Sequence, residues 1–239
     1  MKTKRYGLWY NILRMVFRLF WRRHTVRWES PRVQPAVYVS RHQDMRGPIA
    51  VGLFFPGVVR IWGYSVFFGV ASCFRQYTDY TLTVRLGWPR WLAAAVAAPM
   101  ALIVSAGCRS GKGIPVYRDR RVAQTLALSV EALSQGDSLA IFTDRDYQNA
   151  DPAQGVGEMY SGFLHLEPKY CALTGRHVPF VPLYASRKRR EMTVGTPVYF
   201  QDGEAFRAGK ARVIRELQDQ LNRLASVDIP EGLEPRDGG

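Results

Sequence analysis

From residue 110 onward, short apolar runs alternate with stretches of helical period. Ile114–Tyr117 reads as a buried strand. Residues 121–135 read as a helix, with Ala123, Leu126, Val130 and Leu133 on one face and Gly136 as its stop. Ser138–Phe142 is an apolar strand after the Gly136-Asp137 turn. Residues 159–171 carry a helical pattern. Val178–Tyr184 reads as a strand whose two prolines predict an edge position or an irregular end. Met192–Val194 and Pro197–Phe200 are expected to form a hairpin about Gly195-Thr196. Residues 204–224 form a closing helix with Phe206, Val213, Leu217, Leu221 and Leu224 inward. Ala36–Ser40 supplies an earlier strand. Strands alternating with helices predict an α/β fold: a single layered domain over residues 32–226, with a mixed central sheet flanked by helices. Residues 227–239, rich in Pro, Gly and acids, read as a flexible tail.

The first half has a different texture. Residues 6–23 have helical period, with Asn11, Arg14, Arg18 and Arg22 in one narrow polar stripe. Leu8, Trp9, Ile12, Leu13, Met15, Val16, Phe17, Leu19, Phe20 and Trp21 make up the rest. The arginines interrupt the apolar run that a signal peptide needs, and the run is too short to span a bilayer. Residues 1–31 therefore read as an amphipathic, basic segment lying in a membrane interface with its arginines toward headgroups, or else as a helix packed on the domain. Residues 47–107 are mostly apolar and read as a membrane-proximal insertion. Within them Trp91–Cys108 is near transmembrane length but contains Pro99. A span, a re-entrant or interfacial helix and a buried core helix all fit it.

Charge sharpens this picture. The 239 residues carry a net charge of +13, which predicts an anionic partner. Nine Lys and Arg against Glu29 alone, in residues 1–32, hold most of it. Basic residues interleaved with large aliphatics fit lipid better than nucleic acid, for which no motif is present. Cys73, Cys108 and Cys171 are far apart and lack metal spacing, so free thiols are expected, with neither a disulfide framework nor a metal site. The stretch Gly107–Gly113 is one residue short of a phosphate loop and has no Ser or Thr after Lys112. Arg187-Lys188-Arg189-Arg190 reads as a solvated turn.

Four short segments fall at strand ends, where α/β enzymes place their chemistry. They are Ser40-Arg41-His42-Gln43-Asp44-Met45-Arg46-Gly47-Pro48, then Gly113-Ile114-Pro115-Val116-Tyr117-Arg118-Asp119-Arg120, then Ile141-Phe142-Thr143-Asp144-Arg145-Asp146, and Phe180-Val181-Pro182-Leu183-Tyr184. In this order they resemble the boxes of the glycerol-3-phosphate and lysophospholipid acyltransferase superfamily, the group containing bacterial 1-acylglycerol-3-phosphate acyltransferase. The resemblance covers roughly residues 36–200. Two departures stand out. The family's Asp five residues after the His falls on Gly47, and its F-P-E-G box reads Phe142-Thr143-Asp144-Arg145. The chain looks like a divergent bacterial subgroup with an R-H-Q-x-x-x-G-P first box, in which Gly47 is a regular feature.

The resemblance implies transfer of a fatty acyl group from acyl-CoA or acyl carrier protein to a hydroxyl of a lysophospholipid or glycerol phosphate. His42 would be the catalytic base, with Asp44 as its nearest carboxylate partner and Asp144 second. Arg118 and Arg120 would bind the acceptor phosphate, with Asp144 and Arg145 shaping the acceptor site. No metal or bound cofactor is implied. The expected partners are membrane lipids and the acyl donor, at the cytoplasmic face of the cell membrane, with peripheral or monotopic attachment. A non-catalytic lipid-binding protein that retains this fold is the alternative. Taken singly, His42 also fits a capping or core histidine, Arg118 a surface arginine and Asp144 a loop cap.

Overall fold

The computed structural model describes residues 5–43, 45–143 and 159–228. Its centre is a seven-stranded mixed sheet: β1 (Thr25–Trp28), β2 (Val37–Ser40), β3 (Val59–Tyr64), β4 (Ile114–Val116), β5 (Ser138–Phe142), β6 (Phe180–Ser186) and β7 (Glu191–Val194). The spatial order is β1-β7-β6-β2-β5-β3-β4. All neighbours pair in parallel except β6 and β7, which form an antiparallel hairpin. The carboxyl ends of β2, β3, β4, β5 and β6 therefore share one edge of the sheet.

Period-two alternation sorts the buried side chains to two faces. Val37, Val39, Leu139, Ile141 and Phe180 pack with α5 (Val122–Ser134), α6 (Leu166–Thr174) and α7 (Phe206–Ala225). Tyr38, Ala140, Val181 and Leu183 face Ala50, Val51 and Phe55, at and just beyond α2 (Arg46–Phe54). Because both faces are covered, β2 and β6 are buried along their whole length. The α/β layered fold with helices flanking a mixed sheet is therefore as expected from the sequence.

Three local expectations need correction, and two strands are additional. Val178–Tyr184 is not an edge strand. β6 pairs β2 through residues 180–182 and β7 through residues 183–186, so Pro182 falls where it changes partner, while Pro179 precedes the strand. The hairpin partner of residues 191–194 is β6, across the turn 187–190, and Val198 instead bridges back to Phe180. Two strands went unread in the sequence. β1 pairs with β7, and β3 lies between β5 and β4, where Arg60 forms an ion pair at 2.6 Å with the buried Asp137. Val227 and Asp228 are not frayed. The Asp228 carboxylate accepts hydrogen bonds from the Tyr184 and Ser186 hydroxyls and from the backbone N–H groups of Arg187 and Lys188.

The apolar first half forms a helical flank. α3 (Val70–Gln76) runs into a π-helical segment, Tyr77–Arg85, and then α4 (Arg90–Ser110), which continues through Pro99. Ala93, Ala97, Ala101 and Ser105 recur every four residues and bury one stripe of α4. α4 is long and apolar enough to cross a membrane, and only 28% of its apolar window is buried.

α1 (Leu8–Phe20) packs on the domain, the second of its two expected placements, and the orientation differs from that of the first. Its arginines do not face outward. Arg14 donates to the carbonyls of Leu53 and Phe55, each at 2.8 Å, and Arg18 donates to Leu53 at 2.7 Å. Tyr10 donates its hydroxyl to Gly52. These are the unsatisfied carbonyls at the end of α2, which attract cations. Arg14 and Arg18 of the polar stripe thus dock inward and the apolar face is left outside: Leu8, Leu19 and Phe20 are 78%, 78% and 83% exposed, and Ile12, Met15, Val16 and Phe17 lie beside them.

Candidate active site

His42 lies two residues past the end of β2, at the shared carboxyl edge. Its ring lies 5.4 Å, centroid to centroid, from that of Phe142, the last residue of the neighbouring β5. The backbone turns sharply after it. Gln43 and Met45 both adopt the left-handed conformation, with φ of 47° and 70°. Two non-glycine residues in that region within three positions mark a strained turn, a feature that gathers at functional sites.

Gly47 closes this turn. Its N–H donates to the His42 carbonyl at 3.0 Å, and a Cβ built on it would stand 2.0 Å from the Arg41 carbonyl oxygen. The first turn of α2 therefore lies directly on the backbone of Arg41 and His42. No side chain, and so no carboxylate, fits at this position. The glycine is required by the packing, and any acid serving His42 must come from elsewhere. Asp44, Asp144 and Arg145 lie outside the described residues.

On the other side of β2, Tyr184 of β6 is buried. Burial pushes its phenol up, and the nearby Asp228 charge adds to this, so it stays protonated and donates to Asp228 at 2.9 Å. Arg41 and Gln43 lie close enough to pull it the other way. Sequence reasoning placed Gln43 and Tyr184 within its four segments without giving either a role, and missed Asp228. Asp228 had only its place in a polar tail as a signal.

Arg118 sits at the same edge, beyond β4 and three strands from β2, a lateral step of about 14 Å at ordinary strand spacing. Its guanidinium lies 4.9 Å from the centroid of Tyr64, at the end of β3. Arg120 is exposed nearby. Asp119 is held by Arg121 at 2.7 Å, which lowers the Asp119 carboxyl to about 2. Arg118 is therefore not the cation that Asp119 neutralises.

A cavity of about 410 Å³ opens on the β6 side of His42. Phe20, Trp21, Arg22 and His24 line it from the end of α1, Gln43, Arg46 and Ala50 from the His42 turn and α2, and Ala185, Arg187 and Arg190 from the β6–β7 hairpin. The run 187–190, expected to be a solvated turn, thus lends two of its arginines to a cavity. A different polar group, Glu167, Cys171 and His177, brings ligand-type atoms within 4.8 Å of one another. It lies near the amino end of β6, at the opposite edge from His42, and the His177 ring is already engaged by Glu167 and Asp202.

No known family model matches the chain. No curated protein matches it either. Among solved structures, it is similar to the crystal structure of the 1-acyl-sn-glycerophosphate (LPA) acyltransferase PlsC from Thermotoga maritima. The two share 14% identity with a TM-score of 0.43, over 82% of this chain and 72% of that one.

Proposed function

We propose that this protein is a bacterial membrane-surface acyltransferase. It would move a fatty acyl group from acyl-CoA or acyl carrier protein to a hydroxyl of a lysophospholipid or glycerol phosphate. One observation carries the reading. The four segments that resemble the acyltransferase boxes are scattered over about 150 residues, yet the first follows β2, the second and third contain or end β4 and β5, the fourth forms most of β6, and these four strands run parallel with their carboxyl ends at one edge. Convergence at that edge is what an α/β catalytic site requires.

In this mechanism His42 takes the proton of the acceptor hydroxyl as its oxygen attacks the thioester carbonyl. The tetrahedral intermediate then expels the thiolate, which recovers the proton from the imidazolium. General base catalysis of this kind contributes roughly 10²–10⁴-fold. Arg118, with Arg120, holds the acceptor phosphate, because a guanidinium fork matches phosphate oxygens. Asp44 orients the imidazole, since Gly47 has no side chain with which to do so. The chemistry calls for no metal or bound cofactor. Attachment is peripheral or monotopic, at the cytoplasmic face, through the exposed apolar face of α1.

The test is acyl transfer by purified protein presented on vesicles with a lysophospholipid and a labelled thioester. His42→Ala should lower turnover by at least about 100-fold while leaving vesicle binding and thermal stability unchanged. Turnover equal to wild type would remove the catalytic reading. A wild-type protein that binds vesicles yet transfers nothing would favour the non-catalytic lipid-binding alternative.

A further inference from the structure

The cavity beside His42 has an unusual lining. Arg22, Arg46, Arg187 and Arg190 contribute four guanidinium groups, and none of the ten lining residues is acidic. Among the described residues, none of these four guanidinia is paired with a carboxylate, whereas Arg60, Arg121, Arg212 and Arg223 all are. Like charges around one small cavity repel one another, and an anion seated between them reverses the sign of that interaction.

The arginines come from three separate parts of the chain, and two of these are held in place. Asp228 accepts the backbone N–H groups of Arg187 and Lys188, which shapes the turn carrying Arg187 and Arg190. Arg190 is itself left-handed, with φ of 54°, and its carbonyl accepts the N–H of Thr25. The His42 turn carries Gln43 and Arg46. His24, also in the lining, donates Nδ1–H to the Arg22 carbonyl, which ties it to the segment carrying Arg22. Burial lowers the His24 imidazole, and the Arg190 charge lowers it further.

The remaining lining indicates the source of the anion. Phe20 and Trp21 are part of the lining, and Phe20 is also the last residue of the exposed apolar face of α1. A phosphate drawn in past them leaves any attached acyl chains beside Leu19 and Phe20, on the surface that meets the bilayer. We propose that this cavity binds the phosphate headgroup of an anionic membrane phospholipid, preferably a phosphomonoester, whose three terminal oxygens match several guanidinium forks. This site is separate from the acceptor-phosphate site assigned to Arg118, and it does not depend on acyl transfer taking place.

The experiment reads binding alone. The full chain is floated with phosphatidylcholine vesicles that contain either phosphatidic acid or phosphatidylglycerol at matched surface charge, and Trp fluorescence is followed in parallel titrations with coenzyme A and with inorganic phosphate. Wild type should prefer the phosphatidic acid vesicles. The pair Arg187→Ala with Arg190→Ala should weaken that binding by roughly tenfold and abolish the preference. The control pair Arg207→Ala with Arg215→Ala removes the same charge from exposed positions on α7 and should retain the preference. Arg46→Gln provides a second variant should the hairpin pair fail to fold. Equal losses for the hairpin and control pairs would reduce the cavity to general surface charge and overturn the proposal. So would saturable fluorescence changes with coenzyme A or phosphate that vesicles fail to compete away. His42→Ala should leave all of these readings unchanged, so failure here and failure of the acyltransfer reading are distinguishable.

Discussion

Position 47 illustrates how a single residue constrains the chemistry around it. An acidic residue there would need a Cβ 2.0 Å from the Arg41 carbonyl oxygen, well inside contact distance. Gly47→Asp, which places a carboxylate five residues after His42, is therefore expected to fail. It should destabilise the protein by about 2 kcal/mol or more, because the first turn of α2 has to lift from the His42 backbone, and it should lower turnover at the same time. Thermal unfolding and acyl transfer measured on the same preparation check this. A stable, more active Gly47→Asp enzyme would mean that the turn is looser than the structure shows.

In the proposed function, the orientation of α1 determines which of its faces meets the membrane. Its arginines satisfy carbonyls at the end of α2, and its aliphatic and aromatic side chains project from the protein. The two faces should therefore respond differently to substitution. Arg14→Ala loses two charged hydrogen bonds to half-buried carbonyls and should cost about 1.5–3 kcal/mol of stability. Leu8, Met15 and Leu19 changed together to Ser remove apolar area that the fold does not use, so melting should barely move while vesicle binding falls steeply. Melting curves paired with vesicle flotation separate the two effects. If the triple Ser variant unfolds early and still floats, the apolar face packs on protein and α4 is the membrane contact.

A pH-dependent tie holds the edge of the sheet remote from the candidate site. His177 contacts the buried Glu167 and the exposed Asp202, and Glu167 also accepts the N–H of Val178. Glu167 chiefly, with Asp202, raises the His177 imidazole above its ordinary 6.5. A group raised in this way stabilises the fold fully below its unfolded value and loses that contribution as pH rises through the native one. The difference in melting temperature between wild type and His177→Gln should therefore be widest below pH 6.5 and should close as pH climbs past the raised native value. A difference that does not change with pH would assign His177 a packing role only.

Much of this architecture was legible in the order of residues. The strands near 37–40, 114–116 and 138–142 and the helices ending the chain follow from apolar period and turn residues, since burial against a neighbouring layer demands that spacing. The ordered boxes also singled out His42 and Arg118, which lie at the same edge of the sheet, beyond strands three positions apart. Other features depend on what packs against what. β3 lies in a run so uniformly apolar that strand and helix periods cannot be told apart there. β1 has four residues with every second one exposed, which reads equally as a loop. An amphipathic helix declares two faces but not which one docks, and only the carbonyls at the end of α2 turned the arginines of α1 inward. The cavity draws on residues 20–24, 43–50 and 185–190. Each of these reads alone as an ordinary basic or apolar segment. They acquire a shared function only when the parallel strands set their ends side by side.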